Sequence, residues 1–351
     1  MTPQRDGADG AGFSPRWTSV LPDRIATSAE VSVIVVTHNS GAELGECLNA
    51  VRAFGEVIVV DNASTDNSVA EAARRPFVEA VANPSNRGFA AAVNQGARTA
   101  KGRYLLILNP DAVIASDCRD LMEACERTGI AAGCLTGSDG HPQEGFTVRR
   151  LPTPAALVFE SLGLNRVWPR NPVNLRYRCL DQDFTRPCFV EQPAGAFLMI
   201  RRDVFDKLGG FDEQFWPVWY EDVDWCKRAS RAGHRIEFVP GAKAVHSGGH
   251  SVGSLKPEFQ RLYWYGSLLR YTSKYCSRVQ FRAVACSVVI GSLVRWSSGL
   301  LDLRKDRSGG YSKVLRLAAA SFFAGKYVCP HAADGGEDGQ GRLTHHPVDG
   351  R

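Results

Sequence analysis

Residues Val31–Thr37 run VSVIVVT, a β-branched stretch with no polar face, and three further strand-like runs follow it at 57–60, 77–81 and 103–108 (RYLLIL). Between them lie helical patterns. Leu44, Leu48 and Val51 recur at helical spacing, Ser64-Thr65-Asp66 opens a second helix with capping chemistry, and the alanine-rich 88–100 forms a third. Apolar strands alternating with helices predict an α/β fold, in which a mainly parallel, Rossmann-like central sheet is covered by helices on both faces. Ligands of such sheets bind beyond the carboxyl ends of the strands. The polar residues gather at those ends, in 37–39, in Asp61-Asn62 and in 109–111.

The second half is less regular. Residues 138–190, rich in Pro, Arg, Trp and Asn with weak periodicity, predict an irregular excursion or small subdomain. Order returns at 195–201 (GAFLMIR), followed by a helix over 220–232 and strands near 235–239 and 244–246. Residues 255–316 are helical and basic, with twelve Lys/Arg against three Asp/Glu. The polar, Gly/Pro-punctuated residues 1–30 lack the apolar core of a secretory signal and are expected to be a flexible leader; the tail over 331–351 is expected to be disordered. This gives a catalytic unit over 31–250 and a helical region over 251–330.

Composition narrows the class. A hydrophobic content of 44% with 23% charged residues excludes a disordered or collagen-like chain over most of the length, and a net charge of +5 is too small to call for nucleic acid. Ten scattered cysteines without a C-x-x-C pair fit reduced, mostly buried thiols in the cytoplasm. The longest late apolar stretch, 283–294, is about twelve residues between Arg282 and Arg295, against roughly 20 for a bilayer span. No membrane-crossing helix is therefore expected.

The strand ends offer four candidate constellations, each with a structural alternative. After Val36 comes Thr37-His38-Asn39-Ser40-Gly41, whose single glycine cannot make a G-x-G-x-x-G pyrophosphate loop. Asp61 instead ends the second strand, where a carboxylate suits a ribose or base edge, or else a turn and helix cap. Asp111, in Asn109-Pro110-Asp111, is placed either to hold a divalent ion bridging a diphosphate or to make a Pro-Asp turn. Glu221, Asp222 and Asp224 crowd a helix start between aromatic residues, so they are either a dipole-favoured first turn or a site for a general base. His246, ending an apolar run, is either structural or a metal ligand.

In order along the chain, VSVIVVTHNS, VDNASTDNS, NRGFAAAVNQG, LLILNPDAVI, GAFLMIRRDVFDKLGGFDEQF, YEDVDWCKRASRAGHRI and VPGAKAVH resemble the family 2 glycosyltransferases of the GT-A fold, over roughly 60% of the chain. The NPD variant and the GAFLMIRR–GGFDE–YEDVDW run resemble the rhamnosyltransferase-like branch. The resemblance implies an inverting, metal-dependent transferase that moves one sugar, L-rhamnose from a dTDP donor, to a polyprenyl-diphosphate-linked GlcNAc-type acceptor in cell-wall or polysaccharide assembly. A different donor, galactofuranose or glucose, and a lapsed nucleotide-sugar-binding protein are the alternatives. It gives Thr37, Asn39, Asp61, Asn62, Arg87, Gly88 and Asn109 to the nucleotide-sugar donor, and Asp111 and His246 to a divalent metal (Mg²⁺ or Mn²⁺). Asp222 becomes the catalytic base, with Glu221 and Asp224 as acceptor-side support. Position 109 is Asn where the family's D-x-D has Asp, so the site has one carboxylate fewer and the donor diphosphate is expected to supply the missing oxygens.

The excursion is expected on the acceptor side, where Arg149, Arg150, Arg166, Arg170, Arg176 and Arg178 could grip an acceptor diphosphate. The Q-x-x-R-W motif of processive relatives is missing, since Gln260-Arg261-Leu262-Tyr263-Trp264 has its arginine misplaced. The basic 255–316 segment either lies at a membrane surface as a peripheral anchor, at the cytoplasmic face beside a lipid-linked acceptor, or packs on the catalytic unit.

Overall fold

The computed structural model describes residues 28–248, 255–301 and 310–329. The expected tail and most of the expected leader lie outside these residues; Ser28–Glu30 makes one 3-10 turn, with Ser28 O accepting from Gly55 N at 2.8 Å.

Strand β1 (Val31–Thr37), buried throughout, is followed by α1 (Leu44–Ala50), β2 (Glu56–Asp61), α2 (Ser68–Ala73), β3 (Val78–Ala82), α3 (Phe89–Thr99) and β4 (Tyr104–Leu108). The four strands pair in parallel in the order β3-β2-β1-β4, with Val33 opposite both Val57 and Leu106. Successive side chains of β1 point to opposite faces. Val33 and Val35 enter one core with Leu44, Leu48 and Leu106; Ile34 and Val36 enter another with Val60, Val93 and Ile107. The second helix starts later than expected, at Ser68, where Asp66 accepts from Ser68 N at 3.0 Å and from Gly41 N at 2.9 Å.

Next come β5 (Ala112–Ile114), α4 (Arg119–Thr128), β6 (Ile130–Thr136), β7 (Val148–Arg149), α5 (Pro154–Leu162), α6 (Leu164–Val167) and α7 (Pro172–Tyr177). After these follow β8 (Cys188–Val190), β9 (Gln192–Pro193), β10 (Phe197–Arg201), α8 (Arg202–Lys207), α9 (Glu221–Arg231) and β11 (Ile236–His246). The sheet continues β4-β10-β6-β11-β5, with β8 on β11 and β10 antiparallel to both its neighbours. The reversal of β10 brings its amino end to the edge where the parallel strands finish, and Asn109 N donates to Ala196 O at 3.1 Å. The two strands expected near 235–239 and 244–246 are one, irregular between Val239 and Lys243.

Residues 138–190 are not irregular throughout. They hold three short helices, two of which use proline to start: Thr153 caps α5 by accepting from Ala156 N at 3.2 Å, and Asn171 caps α7 by accepting from Asn174 N at 2.8 Å. Proline in the first helical turn gives up no intrahelical hydrogen bond.

The C-terminal helices are α10 (Pro257–Tyr275), α11 (Arg278–Leu301) and α12 (Tyr311–Ala324). They share a third core with the catalytic unit, in which Leu157, Phe215, Tyr220 and Val223 meet Leu268, Tyr271, Phe281, Val288 and Leu317. The late apolar segment is longer than the sequence estimate made it. Residues Arg278–Ser297 form a 20-residue segment long and apolar enough, by length and composition, to cross a bilayer, although 39% of it is buried in the protein. The sequence estimate stopped at Arg282 and Arg295, whereas the helix runs through both.

Candidate active site

A cavity of about 550 Å³ opens beyond the carboxyl ends of the parallel strands. Asn62, Asn109, Pro110 and His246 form its sheet side; Glu221 and Asp222 enter from the start of α9; Arg149, Glu160, Tyr177 and Arg178 come from the 138–190 excursion; Trp219 and Trp264 close it above. Asp222 and His246 thus line one space, whereas Asp111 is not on its wall and meets it only through His246.

Asp222 is held by backbone. Gly195 N donates to its Oδ2 at 3.1 Å and Val223 N to its Oδ1 at 2.7 Å. A Cβ on Gly195 would lie 3.2 Å from Asp222 Cβ, so a small residue is needed at the turn into β10. Burial pushes the Asp222 carboxyl above its ordinary range, while these two amides and the Arg149 guanidinium pull it back. Glu221 has no such help. It is buried, its Oε2 has no hydrogen-bond partner among the described residues, and burial, then the charge of Asp222, drives its carboxyl well above the ordinary range. The proton of the pair therefore rests on Glu221 and the negative charge on Asp222.

That assignment has a stability consequence. A carboxyl whose pKa is raised by folding stabilises the fold below its unfolded pKa, about 4.3 for Glu, and loses that contribution as pH climbs through the folded value. Glu221→Gln keeps the shape and removes the titration. Its Tm is expected to exceed that of the wild type at pH 8 and to depend less on pH between 5 and 8; parallel thermal-unfolding profiles for the two proteins would contradict the protonated state of Glu221.

Asp224 corrects the sequence reading. Fully buried and absent from the cavity wall, it accepts from Arg228 Nε at 2.8 Å, Lys274 Nζ at 2.7 Å and Tyr275 Oη at 2.7 Å. Two positions after Asp222 on a helix, its side chain points about 200° away around the axis. It ties α9 to α10 instead of supporting an acceptor.

At the sheet side, His246 Nε2 lies 3.4 Å from Asp111 Oδ1 and 3.3 Å from Asn109 Nδ2, with His246 and Asp111 both buried. Gln143 clamps this histidine twice, donating from Nε2 to His246 O at 2.6 Å and turning Oε1 to Nδ1 at 3.1 Å, while the Phe146 ring stacks on the imidazole at 5.4 Å. With the Gln143 amide hydrogens directed to the carbonyl, its oxygen accepts from Nδ1–H, which leaves the Nε2 lone pair facing Asp111 and Asn109. A carboxylate oxygen and an imidazole nitrogen at this separation fit two ligands on one edge of an octahedral cation, somewhat opened. No group of three or more His, Cys, Asp or Glu converges among the described residues, so such an ion would take its remaining ligands from substrate and water.

The other donor-side candidates divide. Asn62 lines the cavity, donates to Gly88 O at 3.1 Å and accepts from Asn83 Nδ2 at 3.2 Å. Asp61 takes the turn alternative: Ser64 donates to it through both N (2.9 Å) and Oγ. Asn39, at φ 53°, accepts from Thr65 N at 2.8 Å and so joins the first two strand-end loops. Thr37 is fully buried, its Oγ1 without a hydrogen-bond partner among the described residues, and Arg87 is exposed, donating to Gln95 Oε1 at 3.3 Å. Gly88, at φ 85°, is steric: a Cβ there would meet Trp216 Cδ1 at 2.8 Å. Thr37, Asn39, Asp61, Arg87 and Gly88 are all off the cavity wall.

Of the six excursion arginines, Arg149 and Arg178 reach the cavity, the latter paired with Glu160 at 3.3 Å. Arg150 pairs with Glu191 at 3.4 Å, and Arg166, Arg170 and Arg176 are exposed away from it. Sequence reasoning missed Gln143, Phe146, Glu160, Tyr177 and Trp264, whose positions depend on tertiary packing. Only the proline-started helices carried a local signal for any of them.

The profile described as "Glycosyl transferase family 2" matches residues 32–209, and one described as "N-terminal domain of galactosyltransferase" matches 176–250. The N-acetylglucosaminyl-diphospho-decaprenol L-rhamnosyltransferase of Mycobacterium tuberculosis is 29% identical over 245 residues, covering 63% of this chain and 77% of that protein. The rhamnosyltransferase WbbL of Escherichia coli is 27% identical over 192 residues, covering 53% and 66%. Among solved structures, GalNAc-T7 with UDP, GalNAc and Mn²⁺ superposes with a TM-score of 0.50 at 17% identity, covering 84% of this chain and 57% of that one, a likeness of fold.

Proposed function

Since this chain belongs to glycosyl transferase family 2 and is a glycosyltransferase, we propose that it transfers a single L-rhamnose from dTDP-L-rhamnose, with inversion, to a polyprenyl-diphosphate-linked GlcNAc-type acceptor. The observation that carries this reading is the cavity itself, with Asp222 on one side and the Asp111–His246 pair reaching the other through His246. The two relatives named for rhamnosyl transfer support the choice of sugar, and the M. tuberculosis one supports the acceptor.

In this reading the acceptor hydroxyl gives its proton to Asp222 as its oxygen attacks the anomeric carbon. The bond from that carbon to the nucleoside diphosphate oxygen breaks, and the configuration inverts. The charge state favours the step, because Asp222 is the ionised member of its pair. Arg149, whose Nε donates to Gly145 O at 2.6 Å, keeps positive charge beside the carboxylate. A divalent ion, Mg²⁺ or Mn²⁺, would be held by Asp111 and His246 with Asn109 beside them, and supplies neutralisation of charge on the leaving diphosphate. Gln143 fixes the ring that would hold it. We place the reaction at the cytoplasmic face of the cell membrane, where such an acceptor is anchored.

A thermal-shift panel of dTDP-L-rhamnose, UDP-galactofuranose and UDP-glucose, each with and without Mn²⁺, tests the donor and the metal together. A ligand at 100 times its Kd stabilises by about 2.7 kcal/mol. The dTDP-rhamnose shift is expected to be largest and to grow with Mn²⁺, and Asp111→Ala is expected to abolish that growth. A larger shift with another sugar nucleotide overturns the donor, and an unchanged Mn²⁺ effect in Asp111→Ala overturns the metal role.

A further inference from the structure

Helix α11 is apolar on two faces, and the protein covers one. Inward, Phe281, Val284, Ala285 and Val288 are fully or almost fully buried in the third core. Outward, Val279, Ala283, Ile290, Leu293 and Val294 recur at helical spacing and are all exposed, Val279 at 79% and Val294 at 61%. A surface helix ordinarily turns charge to water on this side. Here Arg282 alone interrupts the stripe.

The stripe extends onto neighbouring elements. Arg295 Nη1 donates to Ser161 O at 2.7 Å, and a Cβ on Gly291 would lie 2.1 Å from the same oxygen, so the end of α5 is pressed against α11. Directly after α5, helix α6 exposes Leu164, Val167 (85%) and Trp168 (59%), three residues at i, i+3 and i+4 and so on one face. At the other end of α11, Gly325 lies beside the Arg282 guanidinium, and Phe323, two positions before it, is 80% exposed. Exposed arginines stand at both ends of the apolar surface: Arg278, with Arg282 one turn further in, at one, and Arg166 and Arg170 at the other.

We propose that the outward stripe of α11, together with the exposed face of α6, docks this chain in the plane of an anionic lipid bilayer. Aliphatic side chains along the middle, exposed tryptophans (Trp168 and Trp296) toward one end and arginines at both ends are what an in-plane interfacial helix needs. The arginines complement anionic headgroups, which a second copy of this equally basic surface would not. A spanning orientation would strip Phe281, Val284 and Val288 from their core, so the helix lies along the surface. Helix α5 packs on α11 and also sends Leu157 and Glu160 to the cavity, so a single helix separates the docked helix from the candidate active site. That this nearness serves transfer rests on the lipid-linked acceptor proposed above; the docking does not.

The test is flotation of the full chain with vesicles of phosphatidylcholine alone or with about 30% phosphatidylglycerol. The wild type is expected to float with the anionic vesicles, and Leu293→Glu with Val294→Glu to lose about tenfold or more of that partitioning. Arg166→Glu with Arg170→Glu is expected to weaken binding to anionic vesicles only. All these side chains are exposed, so circular dichroism and the nucleotide-sugar thermal shift should match the wild type, which separates failed docking from failed folding. Absence of wild-type flotation, or flotation unaffected by the glutamates, overturns the proposal, as does a dimer in sedimentation that the glutamates dissociate. Flotation without any transfer to a lipid-linked acceptor would leave the docking standing and remove the acceptor reading alone.

Discussion

Asp222→Asn is expected to lower kcat for transfer by about 10²–10⁴-fold, the range over which a general base acts, while donor affinity stays within about twofold. The carboxylate is positioned by two amide hydrogens, from Gly195 and Val223, and carries the charge of a pair whose other member is held protonated. An asparagine fills the same volume and still accepts from one of those amides, but takes no proton from a sugar hydroxyl. The groups proposed for the donor, Asn62, Asn109 and His246, line the sheet side of the cavity, so a thermal shift with the sugar nucleotide should survive. The wild-type rate should fall on acidification through the raised pKa of Asp222, at higher pH than an ordinary aspartate would give. Retention of more than about a tenth of the turnover in Asp222→Asn would move the base to Glu221, its neighbour on the cavity wall.

The parallel half of the sheet was legible because its information is local. Val31–Thr37 and the runs at 57–60 and 103–108 have no polar face, and the elements found over them differ by a residue or so at their ends. The places of Asp222, Asn109 and His246 on the cavity wall were legible for a related reason: each sits at the end of a regular element, where side chains are delivered to one edge of the sheet. Asp224 was not. Its neighbours in sequence made it look like part of the same acidic cluster, and only the rotation of the helix and the arrival of Lys274 and Tyr275 from 50 or more positions away determine where it points. Gln143 was hidden similarly, since its two hydrogen bonds to His246 span 103 positions. The excursion was misjudged for a different reason. Thr153-Pro154 and Asn171-Pro172 are cap-and-start signals, but proline weighed as disorder when it marked first turns.

The separation between Asp222 and Asp224 yields the second large effect, one of stability. Asp224→Ala removes the common acceptor of Arg228, Lys274 and Tyr275 at a point with no solvent exposure. Lys274 keeps Asp212 at 2.7 Å, but Arg228 keeps only its bonds to Leu208 O and Gly210 O, and its charge is left without a carboxylate where α9 meets α10. Breaking a buried pair by removing one partner costs about 3–5 kcal/mol, which for a chain of this size corresponds to a Tm lower by about 5–10 °C. Asp224→Asn, which still offers an oxygen to Tyr275 or Arg228, is expected to fall between alanine and wild type. Because α10 carries Trp264 over the cavity, loosening this junction should weaken acceptor use before it affects the sugar nucleotide, whose side of the cavity is built by the sheet. At a temperature where Asp224→Asn is fully folded, the expected pattern is a raised KM for acceptor with the donor thermal shift unchanged. A variant that unfolds like the wild type, yet loses turnover as Asp222→Asn does, would return Asp224 to the catalytic side of the helix.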